Sequence, residues 1–316
     1  MSEDRTPRRM RVIGKESVAA GVVAVTLADA DGGEVPEWEP GAHIDLVLGD
    51  ITRQYSLCGD PADRRSLTVA VLHDPNGRGG SAYVHDKLEV GDLIPIDGPR
   101  NAFGLSTAES YLFVAGGIGI TPLVPMLRAV DQQRRPWRLL YGGRARTSMA
   151  FAGDLAATHP DRVDVRPQDE YGLLDLDAAL DALEPGAAVY CCGPEPLLQA
   201  IENACRARDL TLHVERFTPR EIDPDAPVTS FEVELASTGE VVTVEESESV
   251  LDALERRGVN VDFSCREGTC GTCEVAVLAG RPDHRDSVLT DDEKAANDAM
   301  MICVSRSCTP RIILDL

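Results

Sequence analysis

The chain has 316 residues, of which 43% are hydrophobic, and a formal net charge of −22. This length exceeds what one hydrophobic core usually serves, so two or three domains are expected. The negative charge argues against a nucleic-acid partner, and no stretch approaches the roughly twenty apolar residues that a membrane span requires.

The first hundred residues predict a small antiparallel β-barrel. Short apolar or alternating segments recur with turn residues between them, and no helical pattern appears before about Ser81. We assign residues 1–106 to this domain. The clearest predicted strands cover residues 22–27, 43–48, 67–72 and 92–96.

From residue 111 onward the pattern is that of an α/β domain with a parallel sheet. Strands alternate with helices, and Thr121-Pro122 opens a helix that runs to about Val130, with proline in the first turn where its missing N–H costs nothing. This domain is assigned to residues 107–218. The other predicted elements are strands at 111–115, 138–141 and 187–192 and a helix at 195–206.

Residues 219–228 contain three prolines among charged residues and predict a linker. The remaining residues, 229–316, predict an α+β ferredoxin-type β-grasp domain. Alternating apolar residues at 231–235 and 241–244 indicate two strands, and Ser249 with Asp252 predicts the capped start of a helix that Gly258 ends.

Four cysteines of this last domain are separated by four, two and twenty-nine residues, the plant-type spacing for a 2Fe-2S cluster. Gly268 and Gly271 lie between them, and such a loop directs backbone N–H groups at sulfur. A structural zinc site and a disulfide pair are the alternatives, and Cys308 competes for the fourth position. The predicted metal ligands are Cys265, Cys270, Cys273 and Cys303.

Two runs in the barrel domain are candidates for a phosphate-bearing cofactor. Arg53-Gln54-Tyr55-Ser56 offers a cation, an aromatic ring and a hydroxyl on one strand. Twenty residues later, Gly77-Arg78-Gly79-Gly80-Ser81 offers backbone N–H groups and a hydroxyl that suit a phosphate. Each run taken alone is also compatible with an ordinary edge strand or loop.

Two further runs lie where strands of the parallel sheet end. Gly117-Ile118-Gly119-Ile120-Thr121-Pro122 stands between a strand and a helix, where a dinucleotide pyrophosphate binds in related folds, although the third glycine of the usual fingerprint is missing. Cys191-Cys192-Gly193-Pro194 follows a later strand, at the edge where open α/β sheets bind ligands.

Together these runs resemble the phthalate dioxygenase reductase family, within the larger ferredoxin–NADP reductase-like group, over essentially the whole chain. The order of a flavin domain, a nicotinamide domain and a ferredoxin domain is part of the resemblance. Besides the four cysteines, the matching runs are Arg53-x-Tyr55-Ser56, Gly77-Arg78-Gly79-Gly80-Ser81, Gly98-Pro99-Arg100-Asn101, Gly117-x-Gly119-x-x-Pro122, Cys192-Gly193-Pro194 and Glu215-Arg216-Phe217.

The resemblance implies a role for each matching position. Arg53, Tyr55 and Ser56 would hold a flavin, with Ser56 near its reactive N5. The phosphate of the flavin, FMN rather than FAD, would be bound by Arg78, Gly79, Gly80 and Ser81. Gly117, Gly119 and Thr121 would border the NADH pyrophosphate, and the run Cys192, Gly193 and Pro194 would lie by the nicotinamide. Phe217 would lie close to the flavin, so the predicted catalytic residues are Ser56, Cys192 and Phe217.

The mechanism implied is electron transfer. A nicotinamide gives two electrons as one hydride, whereas a 2Fe-2S cluster accepts one electron at a time, so a flavin is needed between them. No general base is required. NADH is expected on the grounds of the resemblance, although Arg144 and Arg146 would also suit the 2′-phosphate of NADPH.

The expected acceptor is the oxygenase component of a Rieske-type aromatic hydroxylase or demethylase, with a cytochrome P450 as the alternative. Residues 229–316 alone carry a charge of −10, which would steer a basic partner. Two other functions are possible, a non-catalytic ferredoxin carrier and a flavin reductase whose cluster only senses redox state.

The N-terminal stretch and the cysteine content bear on location. Residues 1–11 are charged and lack the apolar run of a signal peptide. The nine cysteines are diluted over a long chain. We therefore expect an unprocessed protein of the reducing cytoplasm, with no membrane association.

Overall fold

A computed structural model of the chain describes residues 7–219 and 228–316. Contacts divide the chain into two compact units, Met1–Glu215 and Arg216–Leu316. Most of the predicted linker at 219–228 lies outside the described residues. Among the residues described, no helix has the length and apolar character needed to cross a membrane.

The first unit begins with six antiparallel strands in the spatial order β4-β3-β6-β1-β2-β5. A bridge between Leu57 and Val69 joins the chain just after β4 to β5, so the two outer strands meet and the sheet closes into the predicted barrel. The elements are β1 (Arg8–Ala19), β2 (Val22–Asp29), β3 (His43–Leu48), β4 (Ile51–Ser56), β5 (Leu67–Leu72), α1 (Gly80–Asp86) and β6 (Leu93–Arg100).

Strand β1 was not predicted, because its sequence looks like a charged tail. Met10 and Val12 are fully buried, whereas Arg9 before them and Arg11 between them face outward. This alternation with period two is that of a half-buried strand. Pairing of β1 with both β2 and β6 fixes its register in the barrel.

The second half of this unit is a five-stranded parallel sheet in the order β11-β10-β7-β8-β9. The chain moves outward from β7 through β8 to β9 and then returns to β10 on the other side of β7, so the switch point lies between β7 and β10. The strands are β7 (Ser110–Gly116), β8 (Trp137–Gly143), β9 (Val163–Pro167), β10 (Ala187–Cys192) and β11 (Thr211–Glu215).

Helices cover both faces of the parallel sheet, as the alternating pattern predicted. One face packs with α2 and α3 and shares its core with barrel residues such as Val22 and Phe103, while the other packs with α5 and α6. A 3-10 turn at Gly117–Ile120 precedes α2, so the helix begins slightly later than predicted. The helices are α2 (Leu123–Gln132), α3 (Ala152–Thr158), α4 (Gln168–Tyr171), α5 (Leu176–Asp181) and α6 (Glu195–Arg206).

The second unit contains a mixed five-stranded sheet in the order β13-β12-β18-β14-β16 and a two-stranded ribbon of β15 and β17. Helix α7 has the predicted capping box, in which Ser249 and Asp252 bond each other's backbone N–H groups. The elements are β12 (Phe231–Leu235), β13 (Val241–Val244), α7 (Val250–Arg256), β14 (Glu274–Ala279), β15 (Pro282–Asp283), α8 (Asp291–Ala296), β16 (Ala299–Met301), β17 (Arg306–Ser307) and β18 (Arg311–Leu314).

Candidate functional site

The structure brings the two predicted cofactor runs of the barrel into direct contact. Arg53 on β4 donates from Nη2 to the carbonyl oxygen of Arg78 at 3.2 Å. A Cβ atom at Gly80 would lie 2.4 Å from Cγ of Arg53, so only glycine allows the side chain to cross the loop here. The two runs therefore form one continuous surface made of a cation and a glycine-rich backbone.

The loop before α1 has the conformation that a phosphate cradle requires. Gly79 has a φ of +88°, in the left-handed region that favours glycine. The hydroxyl of Ser81 accepts the N–H of Asp74 at 3.0 Å, which ties the two ends of the loop together. Arg78 is exposed beside it. This arrangement fits a phosphate group, because it offers backbone N–H groups and positive charge without a side chain filling the space.

Tyr55 supplies a flat surface on the same strand. The ring is partly buried and packs against the barrel core. Burial raises the pKa of Tyr55 to about 12, so the phenol is neutral at physiological pH. A neutral ring of this kind suits stacking against a planar cofactor.

Three polar side chains meet around one carboxyl oxygen where β4, β10 and β11 end. Ser56 Oγ donates to Oε2 of Glu215 at 3.2 Å, and Cys192 Sγ lies 3.9 Å from the same oxygen. Burial raises the pKa of Glu215 to about 8, so this carboxyl is mostly protonated at neutral pH. Burial, followed by the nearby charge of Glu215, raises the pKa of the Cys192 thiol well above its usual range, so it also stays neutral.

Sequence reasoning identified Ser56 and Cys192 but gave no role to Glu215. In the sequence, Glu215 belongs only to the matching run Glu215-Arg216-Phe217, and electron transfer requires no general base. Its contact with Ser56 spans 159 positions of the chain. The only local signal was its place at the end of a strand of the parallel sheet, the edge at which ligands bind.

The loops after β7 and β10 touch each other at the switch point of the sheet. A Cβ atom at Gly119 would lie 2.2 Å from the carbonyl oxygen of Cys192, and one at Gly116 would lie 2.6 Å from Cδ of Pro194. A Cβ atom at Gly193 would lie 2.9 Å from the Cα of Gly116. The glycines of these two loops thus permit close backbone contact at the switch point, where open α/β sheets form their ligand-binding crevice.

The other predicted residues of this region have different surroundings. Gly117 has a φ of +57°, and a Cβ atom there would meet nothing within 4 Å. Thr121 is 2% exposed, and its hydroxyl donates to the carbonyl of Ile118 at 3.0 Å, so it closes the turn. Phe217 follows β11 in the second unit and is 43% exposed.

The cysteine loop of the second unit directs amides at sulfur, as its glycines predicted. Cys265 Sγ accepts the N–H groups of Glu267 at 3.2 Å and Thr269 at 3.5 Å, and Cys270 Sγ accepts that of Thr272 at 3.4 Å. Left-handed φ angles at Arg266, Gly268 and Gly271 produce this curvature. Amide dipoles aimed at sulfur stabilise negative charge on thiolates.

The four predicted ligands lie together. Cys265 accepts thiol hydrogen bonds from Cys270 and Cys303, which lower the pKa of Cys265, and Cys273 accepts one from Cys303 with the same effect. No three His, Cys, Asp or Glu side chains within 7–219 and 228–316 form a group that could hold a single metal ion. Four neighbouring thiols are the donor set of a 2Fe-2S cluster, which takes two thiolates for each iron.

The competing cysteine and the disulfide alternative fit less well. Cys308 is exposed just after β17, and its thiol lies next to the carbonyl of Pro282. All nine cysteines are free thiols.

Asp286 lies in the segment that packs against the cysteine loop. It is 1% exposed and its carboxylate accepts the N–H groups of Val288 at 3.0 Å and Leu289 at 2.8 Å, while Ser287 N–H bonds the carbonyl of Gly268 at 2.8 Å.

Comparison with known proteins matches two domain families in the expected order. Residues 113–203 match the oxidoreductase NAD-binding domain, and residues 233–308 match the 2Fe-2S iron-sulfur cluster binding domain. The first match covers the loops after β7 and β10. The second contains all four predicted metal ligands, three in the cysteine loop and Cys303.

Whole-chain relatives are similar along almost their full length. The chain is 47% identical over 285 residues to phenoxybenzoate dioxygenase subunit beta of Ectopseudomonas oleovorans, covering 88% of each chain. It is 35% identical over 322 residues to phthalate dioxygenase reductase of Burkholderia cepacia, covering 98% of this chain and 97% of the relative.

Two solved structures share the fold. Phthalate dioxygenase reductase superposes with a TM-score of 0.70 at 34% identity, covering 98% of this chain and 97% of that one. An intact type IV self-sufficient cytochrome P450 monooxygenase gives a TM-score of 0.91 at 45% identity. That match covers 98% of this chain but only 41% of the longer protein.

Proposed function

This chain belongs to the phthalate dioxygenase reductase family, and from that premise we propose that it delivers electrons from NADH, through FMN and a 2Fe-2S cluster, to a Rieske-type oxygenase acting on an aromatic compound. The observation that carries the proposal is the meeting of Ser56, Cys192 and Glu215 at the switch point of the parallel sheet, beside the surface formed by Arg53 and the glycine loop.

The barrel residues would hold the flavin. Arg53 and the backbone of Arg78, Gly79 and Gly80 provide positive charge and N–H groups for a single phosphate, which supports FMN. Tyr55 would lie against the ring. When bound, FMN supplies the conversion between a two-electron donor and one-electron acceptors.

The crevice between the loops after β7 and β10 would hold the nicotinamide nucleotide. Gly117 and Gly119 would border the pyrophosphate, and Thr121 would keep the turn closed through its bond to Ile118. The backbone of Cys192, Gly193 and Pro194 would position the nicotinamide.

Ser56, Cys192 and Glu215 would set the polarity at the reacting edge of the flavin. The carboxyl and the thiol are both neutral at pH 7, so the nicotinamide would meet no fixed charge from these two side chains before reaction. The serine hydroxyl would hold the carboxyl in place. The family resemblance adds Phe217 as the third catalytic residue, after Ser56 and Cys192.

In the ferredoxin domain, Cys265, Cys270, Cys273 and Cys303 would bind the 2Fe-2S cluster. The amides of Glu267, Thr269 and Thr272 would compensate the negative charge of the bound cluster. We also propose the domain boundaries 1–106, 107–218, 219–228 and 229–316. The dilution of nine cysteines over a long chain supports our proposal of a cytoplasmic location.

The decisive experiment compares Cys273→Ser with Cys308→Ser in the full chain. Cys273→Ser should leave reduction of the flavin by NADH intact and abolish electron delivery to a Rieske-type oxygenase, because the cluster is lost. Cys308→Ser should behave as the unaltered chain. Undiminished delivery by Cys273→Ser would favour the flavin reductase instead, and cluster absorbance without bound flavin would favour the carrier.

A cytochrome P450 is the second candidate acceptor. It is favoured by the TM-score of 0.91 to a self-sufficient P450 that contains a domain set like this chain. The experiment measures how fast the chain, supplied with NADH, reduces one purified Rieske oxygenase and one purified P450. The rate should be higher for the Rieske oxygenase. The reverse ranking would assign the chain to a P450 system.

A further inference from the structure

An ion pair stands at the ligand-binding edge of the parallel sheet, away from the flavin. Arg146 follows β8 and Glu170 lies in α4, which follows β9. The N–H of Asp169 bonds the carbonyl of Arg144 at 3.2 Å and holds the two loops side by side. Both loops therefore sit where the carboxyl ends of two neighbouring strands meet.

This edge corresponds to the adenosine end of the nucleotide, an assignment that rests on the proposed function. The pyrophosphate loop follows β7 and the nicotinamide loop follows β10. A dinucleotide that crosses the switch point must extend to the opposite side, over β8 and β9. NADH and NADPH differ there only in the ribose 2′ position.

The pair is bidentate. Nε of Arg146 bonds Oε1 of Glu170 at 3.1 Å, and Nη2 bonds Oε2 at 2.7 Å. The hydrogen bond from Arg146 lowers the pKa of Glu170, so its carboxylate is ionised. An arginine in this position would normally suit a 2′-phosphate, but here its two best donors are already given to a carboxylate that repels phosphate.

We propose that the Arg146–Glu170 pair selects NADH over NADPH, with Glu170 occupying the guanidinium that would otherwise bind a 2′-phosphate. The remaining lone pairs of the carboxylate accept a hydrogen bond from a ribose 2′-hydroxyl. Both side chains are about half exposed, so the pair is accessible to a nucleotide.

The test uses the full-length chain and two fragments, 5′-AMP and 2′,5′-ADP, which differ in the 2′-phosphate. The wild type should bind 5′-AMP more tightly. Glu170→Gln should shift the ratio of the two dissociation constants by about tenfold toward 2′,5′-ADP, because the arginine gains a charge-assisted bond to phosphate. Arg146→Gln combined with Glu170→Gln should lose that gain. Flavin reduction by NADH and NADPH should follow the same ranking.

Asp131→Asn is the matched control. Its carboxylate accepts from Arg162 at 2.7 Å with similar exposure, but at the opposite edge of the sheet, and this variant should not change the ratio. The proposal is overturned if the wild type prefers 2′,5′-ADP, if Glu170→Gln leaves the ratio unchanged, or if the double variant keeps the gain. Failure of the proposed function would look different, since neither nucleotide would then reduce the flavin.

Discussion

Glu215 shows how one partly buried side chain links the two halves of the first unit. Its carboxyl oxygen receives Ser56 from the barrel and faces Cys192 from the parallel sheet. Burial favours the neutral form, and it raises the pKa from 4.5 to about 8. This residue therefore changes its charge just above physiological pH, at the point where the nicotinamide would react.

Glu215→Gln should remove a dependence of stability on pH between about pH 4.5 and 8. Because the folded-state pKa is raised, the carboxyl costs nothing below about pH 4.5, destabilises the fold increasingly as pH rises from there to about 8, and adds no further cost above that pH. The free energy of unfolding of the wild type should therefore fall relative to the variant between pH 5 and 8.5, by more than about 1.4 kcal/mol, the value of one pKa unit. Urea unfolding at the two pH values measures this difference, and parallel curves would contradict it.

A second residue-scale prediction concerns Asp286, whose carboxylate binds two backbone amides under the cysteine loop. Asp286→Ala removes the oxygen that accepts both N–H groups and leaves these buried donors without a partner. We expect a loss of about 1–3 kcal/mol in the stability of the ferredoxin domain and faster loss of the cluster. Asp298→Ala, at an exposed position, is the control. The absorbance of the cluster during thermal unfolding reports both quantities, and equal behaviour of the two variants would refute the expectation.

At the scale of elements, the crevice between β7 and β10 depends on missing side chains. The strands are neighbours in the sheet, and the loops that follow them approach to distances that no Cβ atom tolerates. Each loop thereby restricts the conformation of the other. This one contact between the loops therefore sets the geometry at both ends of the proposed nucleotide site, where the pyrophosphate and the nicotinamide would bind.

Gly119→Ala should disturb this contact. The new methyl group would meet the backbone carbonyl of Cys192 at 2.2 Å, so one loop must move. We expect a KM for NADH at least about tenfold higher and a loss of about 1–3 kcal/mol in stability. Gly153→Ala in α3 meets nothing within 4 Å and should be neutral or slightly stabilising. Steady-state kinetics of both variants decide the matter, and an unchanged KM in Gly119→Ala would exclude the coupling.

The elements also show what sequence reasoning can and cannot reach. Strands β3, β5 and β10 and helix α6 have the predicted limits, because their apolar pattern is strong and turn residues flank them. Strand β1 was missed because its arginines hide a period-two pattern that only pairing with β2 and β6 reveals. Glu215 was missed for a related reason: its partners are brought to it by tertiary contacts.

At the scale of the whole molecule, charge is unevenly distributed. Residues 229–316 carry −10, and the other 228 residues carry −12, so the charge density of the ferredoxin domain is about twice that of the rest. A strongly acidic domain that delivers electrons favours acceptors with a basic surface.

Association with the acceptor should therefore weaken with salt. Between about 0.05 and 0.5 M NaCl, the KM for the oxygenase should rise several-fold, because screening shortens the reach of the acidic surface. The rate of flavin reduction by NADH serves as the internal reference and should change much less. Acceptor kinetics that do not respond to salt would show that the acidic surface serves another purpose.

The exposure of Cys308 has a practical consequence. Four other thiols outside the cluster loop, Cys58, Cys191, Cys192 and Cys205, are buried, and the remaining four are the proposed iron ligands. In the holoprotein, a maleimide dye or a nitroxide should therefore attach at one position without any engineered cysteine. Fluorescence or paramagnetic spectroscopy of this single label could then report on the ferredoxin domain in the intact chain.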